Sequence, residues 1–228
     1  MAIHPILAMT GHEIRETEVL PTKIAWMACQ FSPHDTGITN LPTHLPDDAM
    51  IILSDENPIH NHDPQRIADQ LFRLRPGSVL LDFQRPRNEP AALIAQTLVQ
   101  ALPCPVGVSP PYAKEFPCPV FLPPVPPHIL LEDHIRPWNG HEIWLELALD
   151  ASQITITAEG STLRPILFAE PAENPHHDER LHCHYFIREE PDALRFYLYR
   201  TREDVASMLS SVQNPNITHA IGLFQELG

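Results

Sequence analysis

The chain has 228 residues, 43% of them hydrophobic and 19% charged, enough apolar material for one sizeable core. Twenty-nine acidic against 15 basic residues give a net charge of −14, which repels phosphate backbones and anionic bilayers and argues against nucleic-acid or membrane partners. No stretch approaches the roughly 20 apolar residues of a membrane span, and the opening MAIHPILAMTGHEI lacks the basic and apolar regions of a secretion signal, so a cytoplasmic location is expected.

Taken in chain order, apolar runs of strand length alternate with capped helices. KIAWMACQF (23–31) and AMIILS (49–54) come first. A helix follows over 63–74, where Asp63 is placed to cap, Pro64 to open the first turn, and Ile67, Leu71 and Leu74 to form one apolar face. SVLLDF (78–83) is the next strand, and a second helix over 88–102 repeats the pattern with Asn88 and Pro90. The segments PVGVS (105–109) and PVFL (119–122) each follow a Pro-Cys-Pro. A short helix is expected within 129–138, then a strand at EIWLELAL (142–149). RFYLY (195–199) and HAIGLF (219–224) complete the strands, with a helix over 201–213 opened by Thr201, Glu203 and Asp204.

Several of these runs are continuously apolar, as expected of parallel strands covered on both faces. The two PCPV copies start only fourteen residues apart, too few for a complete helical crossover. Segment 110–117 can nevertheless carry an extended chain back by about 25 Å, more than the roughly 17 Å of a five-residue strand. Two adjacent parallel strands joined by a proline-rich return are therefore preferred to an antiparallel hairpin, for which no turn signal is present. Twenty-six prolines against 8 glycines act as terminators throughout. Eight strands with incomplete helical cover predict one domain over residues 1–228, an α/β fold of the small TIM-like (β/α)8 barrel kind. Antiparallel additions are expected at LELALDASQITIT (145–157) and at LHCHYFIREEPDALRFYLY (181–199), with an exposed polar loop over 167–180 between them.

A parallel barrel carries its ligand site at the carboxyl ends of its strands. Those ends supply Cys29 and Gln30, Asp55 and Glu56, Asp82, Gln84 and Arg85, Ser109 and Tyr112, Glu146, and finally Gln225 and Glu226. Carboxylates, amides, an arginine and a tyrosine suit a glycan-like or polyol ligand. Glycoside hydrolysis needs two carboxylates, and Asp82 is the first candidate as general acid or base, because a carboxylate within an apolar strand needs compensation. Glu56 or Glu146 would be the second, with Tyr112 and Arg85 orienting the ligand and Arg85 also available to pair with Asp82. Glu146 shares a strand face with Glu142 and Trp144, which leaves an outward orientation open.

Two alternatives compete with hydrolysis: ligand binding without catalysis, and a metal-dependent hydrolase built on His60, His62, His182 and His184. With 14 histidines in the chain, chance pairs are common, and Asp63 is already the obvious helix cap. The four cysteines sit in apolar runs without a CxxC pair and read as small buried hydrophobes, so no disulfide is expected. A cysteine nucleophile at Cys29 or Cys183 would need a spatial histidine neighbour. The nucleotide, serine-hydrolase and zincin motifs are all missing, so no cofactor is expected.

The runs VLLDFQRP, PCPVGVSPPY, CPVFLPP and AIGLFQELG resemble a group of uncharacterised bacterial proteins. The layout resembles compact barrel glycoside hydrolases of the chitinase type, in architecture only. That resemblance implies a sugar-binding mouth and a DxxDxE acid pattern at a strand end. LLDFQRP departs from the pattern, because Asp82 stands without the partner acids. No catalytic role is carried over on this likeness, and a barrel lacking its acid pair can bind a glycan without cutting it.

Overall fold

A computed structural model describes residues 3–167 and 174–228. The apolar runs form parallel strands that close into a barrel. In chain order these elements are β1 (Ile6–Met9), α1 (Gly11–Glu16), β2 (Ile24–Phe31), β3 (Ile38–Thr39), β4 (Met50–Ser54), α2 (Pro64–Leu74) and β5 (Ser78–Asp82). They continue with α3 (Glu89–Ala101), β6 (Val106–Val108), α4 (Pro110–Ala113), β7 (Val120–Leu122), α5 (Leu131–Ile135) and β8 (Ile143–Leu147). The order around the wall is β1-β14-β8-β7-β6-β5-β4-β2, where β14 is Ile217–Leu223, and β1 pairs in parallel with β2 to close the ring. The fold is thus a closed eight-stranded parallel barrel. Among the described residues, no helix is long and apolar enough to cross a membrane.

The helix caps form as the sequence dictates. Asp63 accepts from the backbone N–H groups of Gln65 and Arg66, and Asn88 accepts from that of Ala91. Helix α6 (Arg202–Ser211) opens with a reciprocal capping box between Thr201 and Asp204.

The paired PCPV segments start neighbouring strands: β6 and β7 run parallel, with Val108 opposite Val120. The return between them is not wholly extended, since α4 supplies a single turn at Pro110–Ala113. Cys104 and Cys118 lie just before these strands, at the opposite end of the barrel from the mouth, and all four cysteines are free. Cys29 and Cys183 are buried, whereas Cys104 and Cys118 are only half-buried.

Two assignments need correction. Strand β1 was not read from the sequence, because ILAM is a four-residue run with little to mark it. RFYLY belongs to β13 (Ala193–Tyr199), which lies outside the barrel. It joins a five-stranded antiparallel sheet inserted between β8 and α6, in the order β10-β9-β13-β12-β11. Its other strands are β9 (Ala151–Thr157), β10 (Gly160–Ile166), β11 (His176–Asp178) and β12 (Cys183–Glu190). The β12–β13 hairpin turns at Pro191-Asp192, as expected. β8 and β9 follow one another as strand, link, strand, but sit in different sheets. In the expected loop over 167–180, residues 168–173 lie outside the described residues, and β11 occupies part of the remainder.

Two apolar layers result. Leu53, Leu81, Val108 and Leu145 point outward and pack under α2, α3 and α6. Ile6, Ala8, Ala25, Met50, Ile52, Leu80, Phe121, Trp144 and Ile221 fill the interior. Trp144 is fully buried and closes the amino end, its indole N–H donating to Glu142 Oε1 at 3.1 Å and its ring 4.6 Å from His219. β6 makes room for it with a glycine: a Cβ on Gly107 would lie 2.3 Å from Trp144 Cε3. Because the indole is boxed in, Gly107→Ala is expected to cost about 1–3 kcal/mol by overpacking, lowering Tm by roughly 3–10 °C. An unchanged melting curve would show that the indole can move aside.

Candidate functional site at the barrel mouth

The alternation of strand side chains decides which polar groups reach the mouth. On β5, Leu80 faces inward, so Asp82, two residues on, faces the interior as well, while Leu81 and Phe83 pack outward. On β8 the same parity carries Trp144 inward, so Glu146 points into the barrel and not outward into solvent. A register shift in β2 between Trp26 and Cys29 changes its parity: Met27 and Gln30 line the mouth, while Cys29 is buried in the outer layer.

These side chains surround a cavity of about 180 Å³ whose polar lining is Gln30, Ser54, Glu56, Asp82 and Glu146. It adjoins a second cavity of about 440 Å³ that shares Ser54, Glu56 and Asp82 and adds Asp55, Gln84 and Arg85. The two form a continuous polar depression across the ends of β4 and β5. A cleft of about 480 Å³ lies elsewhere, against α5 and the end of α6, lined by Glu132, Arg180 and His182 among others. It has a single carboxylate and lies away from the barrel axis, so size alone does not mark the site.

Charge is concentrated at the mouth. Burial pushes the Glu146 carboxyl up to about 7, and the neighbouring carboxylates Asp82, Asp150 and Glu226 push in the same direction. Burial also raises Asp82; the Gln84 amide partly offsets this, and Asp55 adds to it. The Gln84 Nε2 donates to both Asp82 oxygens, at 3.1 and 3.3 Å. Among the described residues, neither Asp82 nor Glu146 has an ion-pair partner. The mouth therefore holds two poorly solvated acids, each raised further by a neighbouring carboxylate: Glu146 by Asp82, and Asp82 by Asp55.

Arg85 does not pair with Asp82. Its Nε donates to Asp55 O at 2.8 Å and its Nη2 to Glu56 O at 2.7 Å, fixing the loop after β4. Asp55 is buried, its carboxylate accepting from the backbone N–H groups of Gln84 and Arg85 at 2.9 and 3.0 Å. Ser109 is buried too, donating to Leu81 O and accepting from Phe83 N. Tyr112 is fully buried in the outer layer, its ring 5.6 Å from that of Phe83, and cannot touch a ligand in the mouth. These groups hold the strand ends in place. Glu56 is exposed and accepts from Gln30 Nε2, and Asn57, which the sequence reading passed over, donates to Gln30 Oε1 and Phe31 O. Glu226 accepts from Leu149 N at 3.1 Å, and Gln225 is exposed with its carbonyl facing Arg202.

The histidine candidates separate. His62 accepts from His60 N and contacts Ser32 O, which makes it a loop brace, and His60 is exposed. His182 lies in a turn at φ 48° and meets Ser207 and Ser211, so it does not share a strand face with His184. His184 instead faces His177 and Asp204. The Cys29 and Cys183 thiols are pushed up by burial, to about 12 and about 11, which removes them as nucleophiles near neutral pH.

Neither a family model nor a curated protein matches the chain. Solved structures do match in fold. The spore cortex-lytic enzyme SleL of Bacillus cereus superposes with a TM-score of 0.54 at 9% identity, over 99% of this chain and 71% of that one. SleL of Bacillus megaterium QM B1551 gives 0.51 at 10% identity, over 88% of this chain and 63% of that one. The C-terminal domain of a "putative chitinase" from Desulfitobacterium hafniense DCB-2 gives 0.54 at 9% identity, over 98% and 94%. At such identities the likeness is one of architecture.

Proposed function

We propose that the barrel mouth binds a carbohydrate-type ligand and uses Asp82 and Glu146 as an acid–base pair on a glycosidic bond. The observation that carries this reading is that these two carboxyls, from different strands, line one half-buried cavity, where burial raises both. Environments that push two acids apart are how one site obtains a proton donor and an anion at the same pH. Glu146, whose carboxyl is raised to about 7, is the proton donor, and Asp82 is the base or charge-stabilising partner. Gln30, Glu56 and Gln84 supply the hydrogen bonds that hold ring hydroxyls. The fold neighbours, a cortex-lytic enzyme and a chitinase-type domain, make amino-sugar polymers the first substrates to test.

One observation favours the second reading, binding without cleavage. Laying the DxxDxE pattern so that its second aspartate falls on Asp82 puts its glutamate at Gln84. An amide there orients Asp82 but cannot donate a proton to a leaving group.

Chitin oligomers and spore-cortex fragments incubated with the full chain distinguish the two. Hydrolysis is expected to fall as pH rises through about 7, where Glu146 ionises, and to drop at least about 100-fold in Asp82→Asn and Glu146→Gln. Binding without product, weakened by Asp82→Ala, would move the assignment to the second reading. Neither binding nor cleavage of any oligomer would remove both.

A further inference from the structure

A second convergence of ionisable side chains lies away from the mouth, where the inserted sheet meets the barrel helix α6. Asp204 sits in the first turn of α6 with only 3% of its side chain exposed. Its Oδ1 lies 3.0 Å from His177 Nε2 on β11, and its Oδ2 lies 2.8 Å from His184 Nδ1 on β12. One ligand atom from each of the three residues lies within 4.8 Å of the other two. The imidazole rings are 4.9 Å apart, and His184 stacks on Tyr199 at 5.6 Å.

We propose that His177, His184 and Asp204 form a binding site for a zinc-class divalent ion that pins the inserted sheet to the barrel. Two imidazoles and one carboxylate are a borderline donor set that suits zinc and its neighbours, whereas calcium and magnesium take oxygen ligands. Zinc bonds to N and O are about 2.0–2.2 Å, so tetrahedral ligands lie roughly 3.3–3.5 Å apart. To admit the ion, the contacts of 2.8 and 3.0 Å open slightly, and the widest ligand-atom separation, up to 4.8 Å, closes by a little over 1 Å through side-chain rotation. The carboxylate is already oriented: Thr201 donates to Oδ2 through its backbone N–H at 2.9 Å and its hydroxyl at 3.1 Å, the outer support that metal ligands require. Among the described residues, no lysine or arginine lies within ion-pair distance of Asp204, so none competes with the ion for its carboxylate. The His177 side chain is 38% exposed, which opens a route from solvent and leaves a fourth position for water.

The test is calorimetric titration of Zn²⁺ into the metal-stripped full chain, with a thermal melt alongside. One tight equivalent is expected, with Kd at or below about 1 μM and a Tm several degrees higher with Zn²⁺ than without. His177→Ala and His184→Ala are each expected to weaken binding at least about tenfold, whereas His182→Ala and His60→Ala leave it unchanged. His177 is the more exposed ligand, so His177→Gln keeps the reading interpretable should His184→Ala fold poorly. Absence of a tight equivalent, or retention of binding in the His177 variants, would overturn the proposal, the latter by tracing zinc uptake to scattered surface histidines. Because the readouts are binding and melting, their failure leaves the reading of the barrel mouth untouched.

Discussion

Glu146→Gln is expected to stabilise the protein by about 3 kcal/mol at pH 8 and to change it little at pH 4. The wild-type carboxyl has a folded pKa near 7 against an ordinary value of 4.5, and each unit of difference is worth about 1.4 kcal/mol. The folded pKa is the higher of the two, so the fold prefers the protonated form. Below about 4.5 both folded and unfolded chains hold the proton, and the group costs nothing. Between 4.5 and 7 the unfolded chain releases its proton while the folded chain does not, and stability declines. Above 7 the full penalty stands, because an ionised Glu146 shares a poorly solvated cavity with Asp82 and feels the nearby charges of Asp150 and Glu226.

Glutamine keeps the shape of the protonated acid and removes the penalty. Denaturation at pH 4, 6 and 8 should show the gap between variant and wild type opening across this window, and a gap independent of pH would mean that Glu146 is solvated. The same substitution is expected to abolish proton donation. A variant that is more stable and less active is what a site held at the expense of stability produces.

Most of the barrel was legible because its determinants are local. Continuous apolar runs such as MIILS and SVLLD need both faces covered, and Asp63-Pro64 and Asn88 with Pro90 mark helix starts whatever surrounds them. β1 was missed because four apolar residues carry no signal until β2 and β14 pair with them. RFYLY was placed in the wrong sheet because sheet membership depends on partners, here β9 and β12, that no local pattern names.

The site divides along the same line. Asp82 and Glu146 stand out as candidates because a charge inside an apolar strand is anomalous, and both line the mouth cavity. The parity that turns Glu146 inward was written beside it in Trp144, whose burial shows which face is the interior. Asp55, Ser109 and Tyr112 occupy equally suggestive strand ends, yet they bind backbone groups or pack outward. Sequence cannot separate a polar residue that serves the scaffold from one that serves a ligand. His177 and Asp204 were beyond reach for another reason, since they meet His184 only through the return of β11 and α6.

Arg200→Ala is expected to be among the most damaging single substitutions, at about 3–5 kcal/mol, because a buried cation bridges the inserted sheet and the loop after β7. Arg200 is 5% exposed and has no ion-pair partner among the described residues. Its guanidinium donates instead to backbone carbonyls from two separate segments. Nε reaches His182 O at 3.1 Å and Nη2 reaches Leu181 O at 3.0 Å, both before β12. On the other side, Nη1 bonds Val125 O and Nη2 approaches Pro126 O at 3.5 Å, in the loop after β7. Its backbone N–H holds Asp150 O at 3.1 Å, next to the mouth.

Truncation would strand the buried Val125 carbonyl and the partly buried Leu181 and His182 carbonyls, each costing up to roughly 1–3 kcal/mol when left without a donor, and would leave a cavity besides. Lysine keeps the charge but not the planar fork that reaches both segments, so Arg200→Lys should recover only part of the loss. Arg200→Met restores volume and removes the cost of burying a cation, yet leaves the carbonyls unpaired. An order of stability of wild type, then lysine, then methionine, then alanine is therefore expected from urea denaturation. If methionine equals wild type, the carbonyls are satisfied without Arg200, and the sheet is held by apolar packing through Cys183, Phe186 and Leu198. If the order holds, a single side chain fixes the inserted sheet against the barrel and, through Asp150, sets the edge of the mouth where Glu146 titrates.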